Sequence, residues 1–154
     1  MTTIAYRDGI MAADRRVTRS GYVIGMKTKI EKVGRLLIGG TGSVAVIDSF
    51  MAWVRGGCNG GCPPMGLKSA TDDEYSGTGC IIMPNGRAVL FHEGGHEVRE
   101  GLQDRHGRGS FFAFGSGVDH ALSAMWMGAS AEEAVRAASA FDTGTGNGID
   151  TIRL

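Results

Sequence analysis

The segment FHEGGHE, residues 91 to 97, places His92, Glu93 and His96 in the order H-E-x-x-H. In a helix, this order puts two zinc-binding histidines on one face, with the glutamate beside them as a base. Here both intervening residues are glycines, which together cost a helix about 1.5–2 kcal/mol relative to alanine. A Gly-Gly turn between two strands fits better, with Glu93 facing His96 and His92 facing Glu97. We therefore predict a hairpin, with no metal and no other cofactor.

A second chemical candidate is the threonine that follows Met1. Removal of the initiator methionine would leave Thr2 with a hydroxyl nucleophile and a free α-amine of pKa about 8, which can serve as its base. The dipeptide Asp8-Gly9 predicts a two-residue hairpin turn, and its register brings Thr2 beside Asp14. Taken alone, this stretch also fits an ordinary edge strand.

The surrounding pattern gives strands, a helix, more strands, two helices and a final strand. Apolar residues recur at helical spacing from Ser43 to Arg55. Ser130 and Glu133 form an S-x-x-E capping box that predicts the start of another helix. Asn85-Gly86 predicts a second hairpin turn. This order predicts an α+β fold with two antiparallel sheets and helices outside them.

Length and composition limit the class of protein. A chain of 154 residues fits a single domain spanning 1–154. Basic and acidic residues both total 16, so no positive surplus favours nucleic acid. No apolar run approaches the ~18 residues of a membrane helix, and the first residues lack the pattern of a secretory signal. Three cysteines indicate no disulfide framework. We expect a cytoplasmic protein that binds neither nucleic acid nor membrane.

An ordered set of motifs carries a resemblance to a known family. The motifs are TT-I-A, DG-I-MAAD-R-R, KIEKV, GGTGS before a helix, FFAFGSGVDHALSAMWMGASAEEAVRAA and FDTGTGNGIDTI. The set resembles the proteasome β-subunit family, which includes bacterial HslV and its small phage and bacterial relatives, over roughly two thirds of the chain. The resemblance implies a single N-terminal-nucleophile (Ntn) hydrolase domain. Its fold would be a four-layer αββα sandwich, with two antiparallel sheets between helix layers.

The resemblance also implies roles for residues near the N-terminus. Thr2 corresponds to the catalytic threonine, and Asp14 to the aspartate that holds the catalytic lysine. Lys29 corresponds to that lysine, and Lys32 is the competing assignment in the same segment. A charged lysine would lower the pKa of the neighbouring hydroxyl and amine.

Further roles follow for residues elsewhere in the chain. Ser116 corresponds to the serine near the threonine amine, and Asp142 to its aspartate partner. Thr145 stands where the proteasome has another serine. The backbone N–H of Gly42, beside the start of a helix, would face the developing oxyanion. The remaining candidates for substrate binding are Arg16, Thr18, Lys27, Gly40 and Val44.

These roles imply a threonine endopeptidase that acts on unfolded polypeptide or peptides. The resemblance implies a ring-shaped homo-oligomer, which a separate ATPase unfoldase could serve. Two alternatives stay open: a non-catalytic ring or scaffold subunit, and an Ntn amidohydrolase that cuts a small amide. Phosphate binding at GGTGS ranks lower, because the lysine of G-x-x-x-x-G-K-[ST] is missing.

Overall fold

The computed structural model describes residues 2–68 and 74–154, without the side chains of Lys68 and Glu74. Three helices lie in this part of the chain: α1 (Val44–Arg55), α2 (Val118–Trp126) and α3 (Ala131–Phe141). The strands are β1 (Thr3–Arg7), β2 (Ile10–Asp14), β3 (Arg16–Arg19), β4 (Tyr22–Met26), β5 (Ile30–Val33), β6 (Leu36–Gly42), β7 (Gly66–Lys68), β8 (Glu74–Ile82), β9 (Ala88–His92), β10 (Gly95–Arg99), β11 (Phe111–Gly115) and β12 (Ile149–Arg153).

The four-stranded sheet has the order β11-β1-β2-β12, and its neighbouring strands are antiparallel. The turn between β1 and β2 has positive φ at both central residues, 48° at Asp8 and 87° at Gly9. This geometry suits the twist of a two-residue hairpin. Arg7 pairs with Ile10, which is the register of the two-residue turn that Asp8-Gly9 predicted. The hairpin therefore returns β2 beside the N-terminus.

The six-stranded sheet follows the order β10-β9-β8-β6-β5, with β7 paired to β8. The remaining two strands, β3 and β4, pair with each other and form a separate small sheet. Every residue of β4 is exposed, and its large apolar side chains are 52–75% exposed: Tyr22, Val23, Ile24 and Met26. This hairpin therefore contributes little to the core.

The buried side chains form three clusters. The first joins the four-stranded and six-stranded sheets through residues such as Ile4, Met11 and Leu37. The second lies between the four-stranded sheet and helices α2 and α3. The third packs α1 on the six-stranded sheet, where Phe50 fills the space above Gly79. The predicted helices are confirmed, and Ser130 and Glu133 form the predicted capping box.

The predicted fold class is wrong. The chain was expected to form an α+β, four-layer αββα sandwich of the Ntn-hydrolase type, but the structure is mostly β, with 42% strand and 22% helix. Its described residues form three helices and three sheets of four, two and six strands. One physical reason is the segment from Gly56 to Met65, where glycine and proline favour turns over a second helix beside α1. Another is β3–β4, which joins neither large sheet.

The predicted register of the H-E-x-x-H hairpin is also wrong. The turn residues are Glu93 and Gly94, and His92 pairs with Gly95. His96 therefore lies opposite Phe91, with ring centroids 5.7 Å apart. Within residues 2–68 and 74–154, no group of three or more histidine, cysteine, aspartate or glutamate side chains is arranged to hold a metal ion.

None of the helices in the described ranges combines the length and apolar character that crossing a bilayer requires.

Candidate active site

Thr2 lies just before β1, a central strand of the four-stranded sheet, and is only 5% exposed. Its carbonyl oxygen accepts a 2.8 Å hydrogen bond from the Ser116 backbone N–H. The Ser116 Oγ lies 3.5 Å from the same oxygen. These contacts fix Thr2 against the end of β11. Met1, whose removal the catalytic hypothesis requires, lies outside the described residues.

Asp14 is the centre of the site and is fully buried. Its Oδ1 accepts hydrogen bonds from the Thr3 backbone N–H and from Lys29 Nζ, both at 3.0 Å. Its Oδ2 accepts backbone N–H bonds from Arg16 at 3.0 Å and Gly146 at 3.1 Å. Because a buried carboxylate is stable only when paired and hydrogen-bonded, this geometry ties three chain segments to the residue that follows Thr2.

Lys29 is 7% exposed and also donates a 2.5 Å hydrogen bond to the Arg16 carbonyl. Burial lowers the pKa of its ammonium below the ordinary 10.5, although Asp14 acts in the opposite direction. Lys32 is exposed on β5, so the geometry favours Lys29 over Lys32 as the partner of Asp14.

A second polar network lies on the other side of the N-terminus. Asp142 Oδ2 accepts a 2.6 Å hydrogen bond from Ser116 Oγ and a short one from Thr145 Oγ1. Burial alone would raise the pKa of Asp142, but the hydrogen bonds from Ser116 and Thr145 hold it below its ordinary value. Thr145 Oγ1 lies 2.6 Å from Thr3 Oγ1, which also accepts a 3.1 Å bond from the Gly117 N–H. The network therefore joins β1 to the loops at both ends of the α2–α3 helix pair.

A pocket of about 340 Å³ opens beside Thr2. Eight residues predicted to belong to the site line it: Thr2, Arg16, Thr18, Lys27, Lys29, Gly40, Gly42 and Val44. Asp14, Ser116, Asp142 and Thr145 are absent from its lining. Asp14 bonds to Lys29 and Ser116 bonds to Thr2, whereas Asp142 and Thr145 bond to Ser116 and Thr3. Its other walls are largely apolar, with Ile24 from β4 and Met51 from α1. The volume lies within the range of small-ligand sites.

Helix α1 directs its N-terminus at this pocket. Ser43, Val44 and Ala45 line the pocket, and the first backbone bond of the helix runs from Ile47 N–H to the Ser43 carbonyl. The preceding N–H groups therefore have no acceptor within the helix. Together with the helix dipole, they favour negative charge at this wall. This part of the pocket is suited to a developing oxyanion.

Two glycines shape the same wall. A Cβ on Gly40 would lie 2.6 Å from Ile47 Cδ1, so glycine permits α1 to approach β6. Gly42 has φ of 110°, and a Cβ there would lie 2.4 Å from the Ser76 carbonyl oxygen. Both positions therefore need the absence of a side chain.

The charged residues at the pocket have separate partners. Lys27 Nζ lies 2.5 Å from Asp48 Oδ1 on α1. The Arg16 guanidinium donates to Asn147 Oδ1 at 2.7 Å and to the Thr143 carbonyl at 2.8 Å. Arg16 therefore connects β3 with the loop that carries Thr145.

Three residues for which the sequence predicted no role also join the site: Thr3, Gly146 and Asn147. A Cβ on Gly146 would lie 2.5 Å from an Arg16 guanidinium nitrogen, so this glycine accommodates that side chain. The glycine-rich run TGTGNG was a visible signal of close backbone approach. Nothing in the sequence identified the buried hydroxyl of Thr3 as the partner of Thr145.

No protein-family model matches the chain, and no curated protein does. Solved structures that resemble it include Thiobacillus denitrificans BPH in complex with epoxomicin, with a TM-score of 0.64 and 20% identity over 99% of this chain and 97% of that one. Thiobacillus denitrificans BPH in a second structure has a TM-score of 0.63 and 20% identity, covering 99% of this chain and 96% of that one. At this identity, the likeness shows a shared fold alone.

Proposed function

We propose that this chain is a threonine peptidase of the proteasome-like class, with Thr2 as its N-terminal nucleophile after removal of Met1. The observation that carries the proposal is the buried Asp14 carboxylate, whose Oδ1 binds both Lys29 Nζ and the Thr3 N–H. The Lys29 ammonium therefore shares an acceptor oxygen with the residue that follows the proposed nucleophile, which supports the proposal. Thr2 and Lys29 also line the same pocket, which supports a joint role in one reaction.

The proposed reaction is the hydrolysis of a peptide bond through an acyl-enzyme. Thr2 Oγ attacks the carbonyl carbon, and the α-amine of Thr2 takes the hydroxyl proton. The carbon–nitrogen bond then breaks, the amine product leaves with that proton, and the acyl group stays as an ester on Thr2. Water hydrolyses the ester, releases the carboxylic acid and restores the hydroxyl. The N–H groups at the α1 N-terminus stabilise the negative oxygen in both steps.

We propose a homo-oligomeric ring, since the four apolar side chains exposed on β4 are typical of a surface that contacts another chain. A closed ring admits only unfolded polypeptide or peptides, so a separate ATPase unfoldase belongs to the proposal. The free thiols of Cys58, Cys62 and Cys80 support a cytoplasmic location.

The deciding experiment combines the intact mass of the purified protein with covalent labelling. Epoxomicin is a suitable probe, because one of the fold neighbours was solved in complex with it. We expect a mass that lacks Met1, and one epoxomicin adduct that peptide mapping locates on Thr2. Thr2→Ala should give no adduct and no peptide hydrolysis while keeping its oligomeric state. Peptide hydrolysis by Thr2→Ala would disprove the mechanism, and a retained Met1 without any adduct would support a non-catalytic subunit.

A further inference from the structure

A second concavity, of about 380 Å³, adjoins the pocket that holds Thr2. We call it the Glu93 crevice, and its lining residues are Thr41, Gly42, Ser76, Gly77, Thr78, His92, Glu93 and Gly94. Gly42 lines both concavities. The crevice and the pocket therefore meet at Gly42, the residue whose backbone N–H the sequence predicted to face the developing oxyanion.

The crevice also lies close to Thr2. A Cβ on Gly115 would be 1.9 Å from the Thr2 carbonyl oxygen and 3.1 Å from Thr41 Cγ2. Thr2 and the crevice residue Thr41 therefore bound the same space beside Gly115. An extended chain that passes over Thr2 can occupy the pocket with one half and the crevice with the other.

The two concavities differ in charge. The described residues that line the pocket include four cations, Arg16, Arg19, Lys27 and Lys29, and no carboxylate. The described residues that line the crevice include one carboxylate, Glu93, and no lysine or arginine. His92 Nδ1 accepts a 3.2 Å hydrogen bond from the Gly94 N–H within the same hairpin. The side chains that line the cleft are therefore basic at one end and acidic at the other, with Lys27 and Lys29 paired to Asp48 and Asp14 outside the lining.

Glu93 is available to a ligand. Its side chain lies over Gly66, where a Cβ would be 2.7 Å from Glu93 Cδ. Among the side chains and backbone groups that the structure describes, its carboxylate has no hydrogen-bond or ion-pair partner. By contrast, the carboxylate of Glu97 on the same hairpin is bound to Arg99 at 2.8 Å.

The chemistry fixes which half of a substrate lies where. The acyl carbon bonded to Thr2 must remain beside Lys29 and the α1 N-terminus, which both line the pocket. With the acyl group in the pocket, the concavity next to it for the segment beyond the broken bond is the Glu93 crevice, because Gly42 lines both.

We propose that the Glu93 crevice binds the part of the substrate that leaves as the amine product, and that Glu93 selects lysine or arginine as the first residue after the scissile bond. This inference rests on the proposed peptidase function and adds a substrate class to it. Because Glu93 is solvent-exposed, the preference should be modest, about threefold to fivefold, and should weaken as salt is added.

The test uses two internally quenched peptides that differ only in the residue after the cleaved bond, lysine or norleucine. Mass spectrometry of the products establishes which bond is cut. In the wild type we expect a higher kcat/KM for the lysine peptide, by about threefold to fivefold in low salt. Glu93→Gln should cleave both peptides at the rate of the norleucine peptide. Glu97→Gln, on the same hairpin but outside the crevice, should keep the full preference.

Three outcomes would overturn the inference: no lysine preference in the wild type, a preference that survives in Glu93→Gln, or a Glu93-dependent preference for lysine before the scissile bond. Failure of the proposed peptidase function gives a different result: protein from which Met1 has been removed would then cleave neither peptide. In that case, calorimetric measurement of the binding of the same two peptides tests whether the crevice is a cation site. Tighter binding of the lysine peptide that Glu93→Gln abolishes supports the crevice as a cation site, and equal binding refutes it.

Discussion

Lys29 Nζ lies 3.0 Å from Asp14 Oδ1 in a buried ion pair, and the same oxygen accepts the Thr3 N–H. Burial makes each partner depend on the other, because removing one leaves an uncompensated charge. The pair therefore links the stability of the fold to the electrostatics beside Thr2.

Lys29→Met should lower the free energy of unfolding by about 3–5 kcal/mol and abolish peptide hydrolysis. The loss of stability follows from the Asp14 carboxylate, which keeps its backbone donors but loses its counter-ion. Urea denaturation and a peptide assay measure the two effects. The double variant Asp14→Asn with Lys29→Met should recover part of the stability, since no buried charge is left unpaired, but not all of it, because the amide nitrogen of asparagine cannot accept the backbone N–H bonds that one carboxylate oxygen holds; it should recover none of the activity. Equal stability of the single and double variants would show that the pair does not act as a unit.

The pH dependence of stability should show the lowered pKa of Lys29, for which burial is the main cause. Between that lowered pKa and 10.5, the unfolded state binds more protons than the folded state at this residue. Stability contributed by Lys29 should therefore rise with pH across this window. Lys29→Met should remove the rise. Urea midpoints measured at several alkaline pH values test it, with Lys32→Met on the exposed face of β5 as the matched control.

Activity should fall over the same alkaline range, because the proposed mechanism needs the charged ammonium of Lys29. The midpoint of this fall should lie below pH 10.5. Asp14 raises the pKa of Lys29, so Asp14→Asn should move the midpoint to lower pH. A profile of kcat/KM against pH measures both values. An unchanged midpoint in a folded Asp14→Asn protein would contradict the role given to the pair.

Thr3→Val removes the buried hydroxyl of Thr3 but keeps the shape of its side chain, so it tests the contribution of the hydroxyl alone. Thr3 Oγ1 accepts the Gly117 N–H and lies 2.6 Å from Thr145 Oγ1. Leaving these groups without partners should cost about 1–3 kcal/mol of stability, measured by urea denaturation. We also expect slower hydrolysis, since Thr145 and Ser116 share Asp142. Thr151→Val, on the exposed β12 surface, should change neither quantity.

The dependence of folding stability on acidic pH should involve Asp104, which lies outside the Thr2 pocket. The Arg7 guanidinium, 2.8 Å from the Asp104 carboxylate, holds the pKa of that carboxyl well below its usual range. The resulting stability is present above the ordinary pKa of 3.8 and disappears as pH falls toward the lowered value. Asp104→Asn should therefore unfold more readily at neutral pH but differ less from the wild type in strong acid. Circular dichroism during acid titration tests this, and a constant difference at all pH values would refute it.

Gly42→Ala should reduce both stability and activity. The new Cβ would lie 2.4 Å from the Ser76 carbonyl oxygen, at a φ of 110° that side chains rarely adopt. A strained residue of this kind costs about 1–3 kcal/mol. Gly61→Ala is the control, since an added Cβ there meets nothing within 4 Å and its φ is ordinary. Thermal unfolding and peptide hydrolysis of both variants give the comparison, and a Gly42→Ala protein as stable as Gly61→Ala would contradict the steric argument.

The sequence by itself determined the elements whose signals are local. Asp8-Gly9 defined the first hairpin and its register, because positive φ at two adjacent residues selects that turn. Apolar spacing located α1, and the capping box marked the start of α3. These features depend on neighbouring residues and the periodicity of one element.

Sequence patterns did not predict the register of a hairpin whose side chains lie outside the core. Every residue of β10 is exposed, so burial in the core favours neither register of the β9–β10 hairpin. Its turn forms at Glu93–Gly94. The fold class was wrong for a related reason. Whether β3–β4 joins a large sheet, and whether a second helix covers the six-stranded sheet, depends on contacts between distant segments.

In the candidate site, too, the sequence indicated the residue types and the tertiary structure determined their arrangement. The residue types of Thr2, Asp14 and Lys29 could be proposed from the sequence and its resemblance to a family. Only the tertiary structure placed one Asp14 oxygen between Lys29 and Thr3, and only it showed that Gly42 joins an apolar, basic pocket to an acidic crevice. Distances between side chains on different strands depend on how the sheets pack, which no short stretch of sequence specifies.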